Sequence, residues 1–91
     1  MANPVRLAEL LPGAPDVAVA GVSLDSRRVR PGELYAALPG QHTHGARFTA
    51  QAVAQGAVAV LTDQEGRALI DADVPVVVVD DPRTALAEVA A

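Results

Sequence analysis

The chain has 91 residues, 51% of them hydrophobic, and a formal net charge of −4, which is the make-up of one small globular domain and excludes a disordered chain or a general nucleic-acid binder with a basic face. It contains no cysteine and its seven basic residues are all arginine, so disulfides, thiolate chemistry, a Schiff-base or carbamylated lysine and a Walker A phosphate loop are excluded, and any ATP chemistry must come from elsewhere. No run approaches the ~18 apolar residues of a membrane span, and the N-terminus lacks a basic region followed by an apolar run, so a cytoplasmic location is expected.

In chain order, Asn3 as cap and Pro4 in the first turn predict a helix over 4–11, with Leu7, Leu10 and Leu11 at helical spacing and Pro12-Gly13 as the stop. Val17 to Leu24 reads as a strand broken at Gly21, leading into the polar Asp25-Ser26-Arg27. Pro31-Gly32 makes a turn, Leu34 to Leu38 a buried strand, and Pro39-Gly40 ends it. After the polar Gln41-His42-Thr43-His44-Gly45, a helix over 46–55 places Phe48, Ala52 and Val53 on one side, with Gly56 as its stop.

Ala57 to Leu61 predicts another buried strand. Thr62 and Glu65 have capping-box spacing for a short helix reaching about Ile70, although Gly66 disfavours it. Pro75 to Val79 is the most strand-like run, and Asp81 with Pro82 opens a last helix with Leu86 and Val89 inward. The fold class expected is α/β, a small mostly parallel sheet flanked by helices with right-handed crossovers. The apolar set is mostly Ala, Val and Leu, with Tyr35 and Phe48 the only aromatics, so a small core of modest stability is expected.

Ligands of open α/β sheets gather at the carboxyl ends of strands, and both polar segments, 23–28 and 40–45, follow predicted strands. Serine, glutamine and exposed loop amides there suit recognition more than catalysis. Taken alone, Asp25-Ser26-Arg27 reads as a turn whose carboxylate caps backbone amides, with Arg28 and Arg30 solvated. His42 and His44 read as exposed loop histidines, too few for zinc, so no metal is expected. No catalytic constellation is discernible; Asp80-Asp81 is assigned to a strand end and a helix cap.

The run Gly21-Val22-Ser23-Leu24-Asp25-Ser26-Arg27-Arg28-Val29-Arg30-Pro31-Gly32-Glu33-Leu34-Tyr35-Ala36-Ala37-Leu38-Pro39-Gly40 resembles the N-terminal signature of Mur ligases. The resemblance continues through His44-Gly45-Ala46-Arg47-Phe48 and 52–60 and covers roughly residues 4 to 90. It implies that residues 1–91 are the UDP-binding first domain of a three-domain, ATP-dependent ligase of peptidoglycan assembly. Such a domain holds the uridine end of UDP-N-acetylmuramoyl-L-alanyl-D-glutamate while the third stem-peptide residue, diaminopimelate or lysine, is added.

By the same resemblance Leu24, Ser26, Gln41, His42 and Thr43 line the uracil pocket. No cofactor belongs to this segment: ATP and Mg belong to a central domain that follows it, and the segment alone is inactive. Its partners are the UDP-linked dipeptide and the other two domains, with neither nucleic acid nor membrane. Two further readings share the signature: the ligase that adds D-alanyl-D-alanine, and a non-catalytic interaction scaffold of the same fold.

Overall fold

The structure is a computed structural model in which residues 5–10, 14 and 16–90 are described. Short, mostly continuous apolar runs build its main sheet. Strands β3 (Val22–Ser23), β4 (Leu34–Ala36), β5 (Ala59–Thr62) and β6 (Val76–Val78) pair in that order, all parallel. Because successive side chains of a strand point to opposite faces, Leu34, Ala59, Leu61 and Val77 go to one core, whereas Tyr35 and Val60 go to another. The first core is closed by Leu7 of α1 (Leu7–Leu10) and Ala85 of α4 (Pro82–Ala90). The second is closed by Ala46, Ala52 of α2 (Thr49–Gln55) and Ile70, which follows α3 (Gln64–Leu69). Helices on both faces of a parallel sheet give the expected α/β class.

Several expected elements differ in detail. The described part of the first helix is only Leu7–Leu10, because Val5–Arg6 forms β1 and pairs antiparallel with β2 (Ala18–Val19). That two-stranded ribbon claims β-branched Val5 and Val19 for ladder pairing, and the Leu7 amide adds a 2.7 Å bond to the Val17 carbonyl. The run 17–24 is thereby split between two sheets on either side of Gly21. Asn3, Pro4, Leu11, Pro12, Gly13 and the Val89 side chain lie outside the described residues.

The helix expected over 46–55 starts with a 3₁₀ turn, Gly45–Phe48, before α2. It ends at Gly56, whose φ of 115° is left-handed and whose Cβ, were there one, would lie 2.5 Å from Pro31 Cα. The cap of α3 is Asp63, not Thr62: the Asp63 carboxylate accepts from the Gly66 amide at 2.8 Å. Thr62 instead ends β5 fully buried, its hydroxyl donating to the Ala37 carbonyl at 2.9 Å. Asp81 caps α4 as expected, accepting from the Arg83 and Thr84 amides.

Candidate functional site

Immediately after β3 the chain makes a tight polar turn. Asp25 Oδ1 accepts from the Arg27 amide at 2.9 Å and from Arg27 Nε at 3.3 Å, while Arg28 Nε stands 3.8 Å from Oδ2. The Arg27 amide, then its side chain, hold the Asp25 carboxyl below the usual carboxylate range, aided by both guanidinium charges. This is the capped turn that the triplet alone suggests, with Arg28 and Arg30 exposed. The turn points Ser26 inward, 7% exposed, and its hydroxyl donates to Gln51 Oε1 of α2 at 2.8 Å.

The loop after β4 is tied down at its far end. The Gly45 amide donates to the Leu38 carbonyl at 2.8 Å, and the buried Tyr35 phenol donates to the Gly45 carbonyl at 2.7 Å. Burial raises the Tyr35 pKa, the Asp25 charge adds to that, and the Ser26 hydroxyl opposes it. Arg83 of α4 donates to the Pro39 carbonyl at 3.2 Å.

His44 departs from the exposed histidine expected: it is 5% exposed, with Nε2 at 2.9 Å from Asp63 Oδ1 and Nδ1 accepting from the Ala46 amide at 3.0 Å. An Nδ1 that accepts leaves the ring proton on Nε2, so His44 donates to Asp63. The backbone amide of Gly66 and then this bond hold the Asp63 carboxyl below its usual value. The burial follows from packing, since the imidazole lies against the bare backbone of Gly66. His42, without such a partner element, is exposed.

Between the two segments lies a cleft of about 540 Å³ lined by Leu24, Ser26, Tyr35, Thr43, Phe48 and Gln51 among others. A neighbouring hollow of about 250 Å³ is lined by Gln41, His42, Thr43, His44, Arg47 and Glu65. The five residues singled out from the sequence therefore divide: Leu24 and Ser26 face the first space, Gln41 and His42 the second, and Thr43 borders both.

Phe48, Gln51 and Tyr35 are cleft residues that the sequence reading missed. The helix expected over 46–55 puts Phe48 on one side with Ala52 and Val53, but the 3₁₀ turn before α2 shifts its phase relative to Ala52: Ala52 is buried and Phe48 is 44% exposed. Leu24, at 56%, is the other exposed large hydrophobic residue among those described. The three-residue spacing from Phe48 to Gln51 was the available signal that both share one face. Apolar surface beside convergent hydrogen-bonding groups, at the carboxyl ends of adjacent parallel strands, suits a small planar ligand. Among the described residues no group of three His, Asp or Glu is placed to hold a metal, and no helix is long and apolar enough to cross a membrane.

Comparison with known proteins agrees with this architecture. The profile of the Mur ligase family, catalytic domain, matches residues 18–91. The chain is 57% identical over 77 residues to the UDP-N-acetylmuramoyl-L-alanyl-D-glutamate--2,6-diaminopimelate ligase of Streptomyces avermitilis, covering 84% of this chain and 15% of that protein. It is 53% identical over 81 residues to the ligase of the same name from Streptomyces coelicolor, covering 86% and 16%. Among solved structures, the UDP-N-acetylmuramoylalanyl-D-glutamyl-2,6-diaminopimelate--D-alanyl-D-alanyl ligase of Acinetobacter baumannii superposes with a TM-score of 0.73 at 25% identity, covering 97% of this chain and 21% of that one. The chain thus spans about one sixth of the length of the two Streptomyces relatives. With the matched profile covering all but the first 17 residues, and with the parallel sheet and its two site loops in the same segment, the chain belongs to the Mur ligase family.

Proposed function

We propose that this chain is the substrate-nucleotide-binding domain of a longer ligase of peptidoglycan synthesis, and that it holds the uridine end of UDP-N-acetylmuramoyl-L-alanyl-D-glutamate while the third stem-peptide residue is added. The observation that carries this reading is the cleft beyond β3 and β4, where Leu24 and Phe48 offer apolar surface to a base and Ser26, Thr43 and Gln51 offer hydrogen bonds to its edge. The names of the two Streptomyces relatives support the substrate.

Anchoring the nucleotide grips a remote part of the substrate, and that binding energy positions the reacting end for chemistry carried out elsewhere. In this proposal the ATP and Mg that amide formation requires would be held by another domain. The residues here do not fit an ATP site, since without lysine there is no Walker A loop, and no ligation step is assigned to them.

Two-dimensional NMR of the 91-residue chain, titrated with UDP and with the UDP-linked dipeptide, tests the reading. Shifts confined to the amides of 24–27, 40–45 and 48–51 are expected. A folded sample that shows none up to about 10 mM ligand overturns the nucleotide-anchor reading and leaves the non-catalytic scaffold.

A second reading, addition of D-alanyl-D-alanine, draws on the Acinetobacter fold match. The identities of 53–57% to diaminopimelate ligases, against 25% to that structure, favour the first. Assaying the longer enzyme with diaminopimelate, lysine and D-alanyl-D-alanine separates them.

A further inference from the structure

We infer that Gln51 determines the base specificity of the cleft: it commits the Ser26 hydroxyl as an acceptor and presents its own amide NH₂ beside it, a pair complementary to the imide edge of uracil and opposed to the edge of cytosine. The inference rests on the nucleotide-anchor reading and adds to it a residue and a selection rule.

A serine hydroxyl carries one proton and two lone pairs, and which it shows to a ligand depends on where the proton is already spent. In Ser26 the proton goes to Gln51 Oε1, at 2.8 Å. Ser26, 7% exposed, lines the cleft, and with its proton spent its hydroxyl can only accept there. Gln51 lines the same cleft with Oε1 engaged, and no described residue accepts from its Nε2. An acceptor and a donor therefore stand side by side.

The other polar side chains of the cleft are less free to read a base edge. Tyr35 is 2% exposed with its proton on the Gly45 carbonyl, and Asp25 and Arg27 are bound to each other through Oδ1 and Nε. The Thr43 hydroxyl rotates and suits either a donor or an acceptor.

Uracil presents N3–H flanked by two carbonyls, so with N3 against Ser26 a carbonyl meets the Gln51 NH₂ whichever way the ring is turned. Cytosine presents an unprotonated N3, which puts acceptor against acceptor in either orientation, and its amino group opposes the Gln51 NH₂ in one of them. A site built to hydrogen-bond one edge rejects the other through groups left unpaired, whereas stacking on Leu24 and Phe48 and any contact to the diphosphate are common to both nucleotides.

The test is NMR or calorimetric titration of the 91-residue chain with UDP and CDP, in the unaltered protein and in Gln51→Met and Gln51→Glu. The unaltered chain is expected to bind UDP about 10-fold or more tighter than CDP. Gln51→Met frees the Ser26 proton to donate to cytosine N3, and Gln51→Glu keeps the bond from Ser26 but removes the donor. Each is expected to weaken UDP about 10-fold and to bring the two nucleotides within about 2-fold of each other.

Gln51 is exposed on α2, so the fold is expected to survive both changes; if one variant fails to fold, the other and the unaltered ratio still decide. Equal binding of UDP and CDP by the unaltered chain, or an unchanged ratio in a folded variant, overturns the role of Gln51 and leaves the nucleotide anchor standing. No binding of either nucleotide to a folded chain overturns both.

Discussion

His44 and Asp63, 19 residues apart, meet at 2.9 Å, and the same Asp63 oxygen accepts from the Gly66 amide at 2.8 Å. One carboxylate oxygen thus caps α3 and holds the end of the loop that carries Gln41, His42 and Thr43. His44→Ala removes a buried donor and leaves the Ala46 amide without its acceptor. The expected cost is about 1–3 kcal/mol in urea unfolding, with faster hydrogen exchange at Gly45 and Ala46 than in the sheet. Asp63→Ala is expected to cost as much, and the double variant less than the sum, by about 0.5 kcal/mol or more.

Gly66 tests packing against propensity. Helix propensity alone has Gly66→Ala stabilising by about 1 kcal/mol. In the structure the added Cβ would lie 2.6 Å from His44 Cε1 and run into the Thr62 hydroxyl, both side chains being buried. Net destabilisation of about 1–3 kcal/mol is therefore expected from chemical denaturation, and a stabilised variant would contradict the packing described.

Acid should weaken the fold through three capping carboxylates. Asp63, Asp25 and Asp81 all have pKa values below 3.8, first through the Gly66 amide, the Arg27 amide and the Thr84 hydroxyl respectively. A depressed folded pKa contributes stability that is complete above the unfolded value and is lost as pH falls through the folded one. The urea midpoint is expected to hold down to about pH 5 and to decline below about pH 4, less steeply in Asp63→Asn.

Phe48 separates binding from stability. It is 44% exposed at the cleft, so Phe48→Ala is expected to change unfolding free energy by less than about 1 kcal/mol. If it stacks on the base, the same change weakens UDP by about 1–3 kcal/mol, read by titration. Unaltered UDP affinity in that variant would remove Phe48 from the site.

Local chemistry carried far into this fold. Continuous apolar runs announced β4, β5 and β6, Gly56 and Asp81 marked helix ends, and Asp25 announced a capped turn, because each feature depends on neighbours a few residues away. The two loops that flank the cleft could be named because strand ends and polar residues coincide there.

What the chain order could not convey depends on partners distant along it. Val5 became a strand through Val19, His44 was buried because Gly66 offers it bare backbone, and the α3 cap fell to Asp63 once Thr62 was turned into the core toward Ala37. The pairing of Ser26 with Gln51 is of the same kind: 25 residues separate them, and the direction in which that hydroxyl spends its proton is set by α2 packing beside the β3 turn. Patterns of period two and 3.6 register which face of an element is apolar, but a hydrogen bond between elements needs their relative placement, and that emerges only when the two cores close on either side of the sheet.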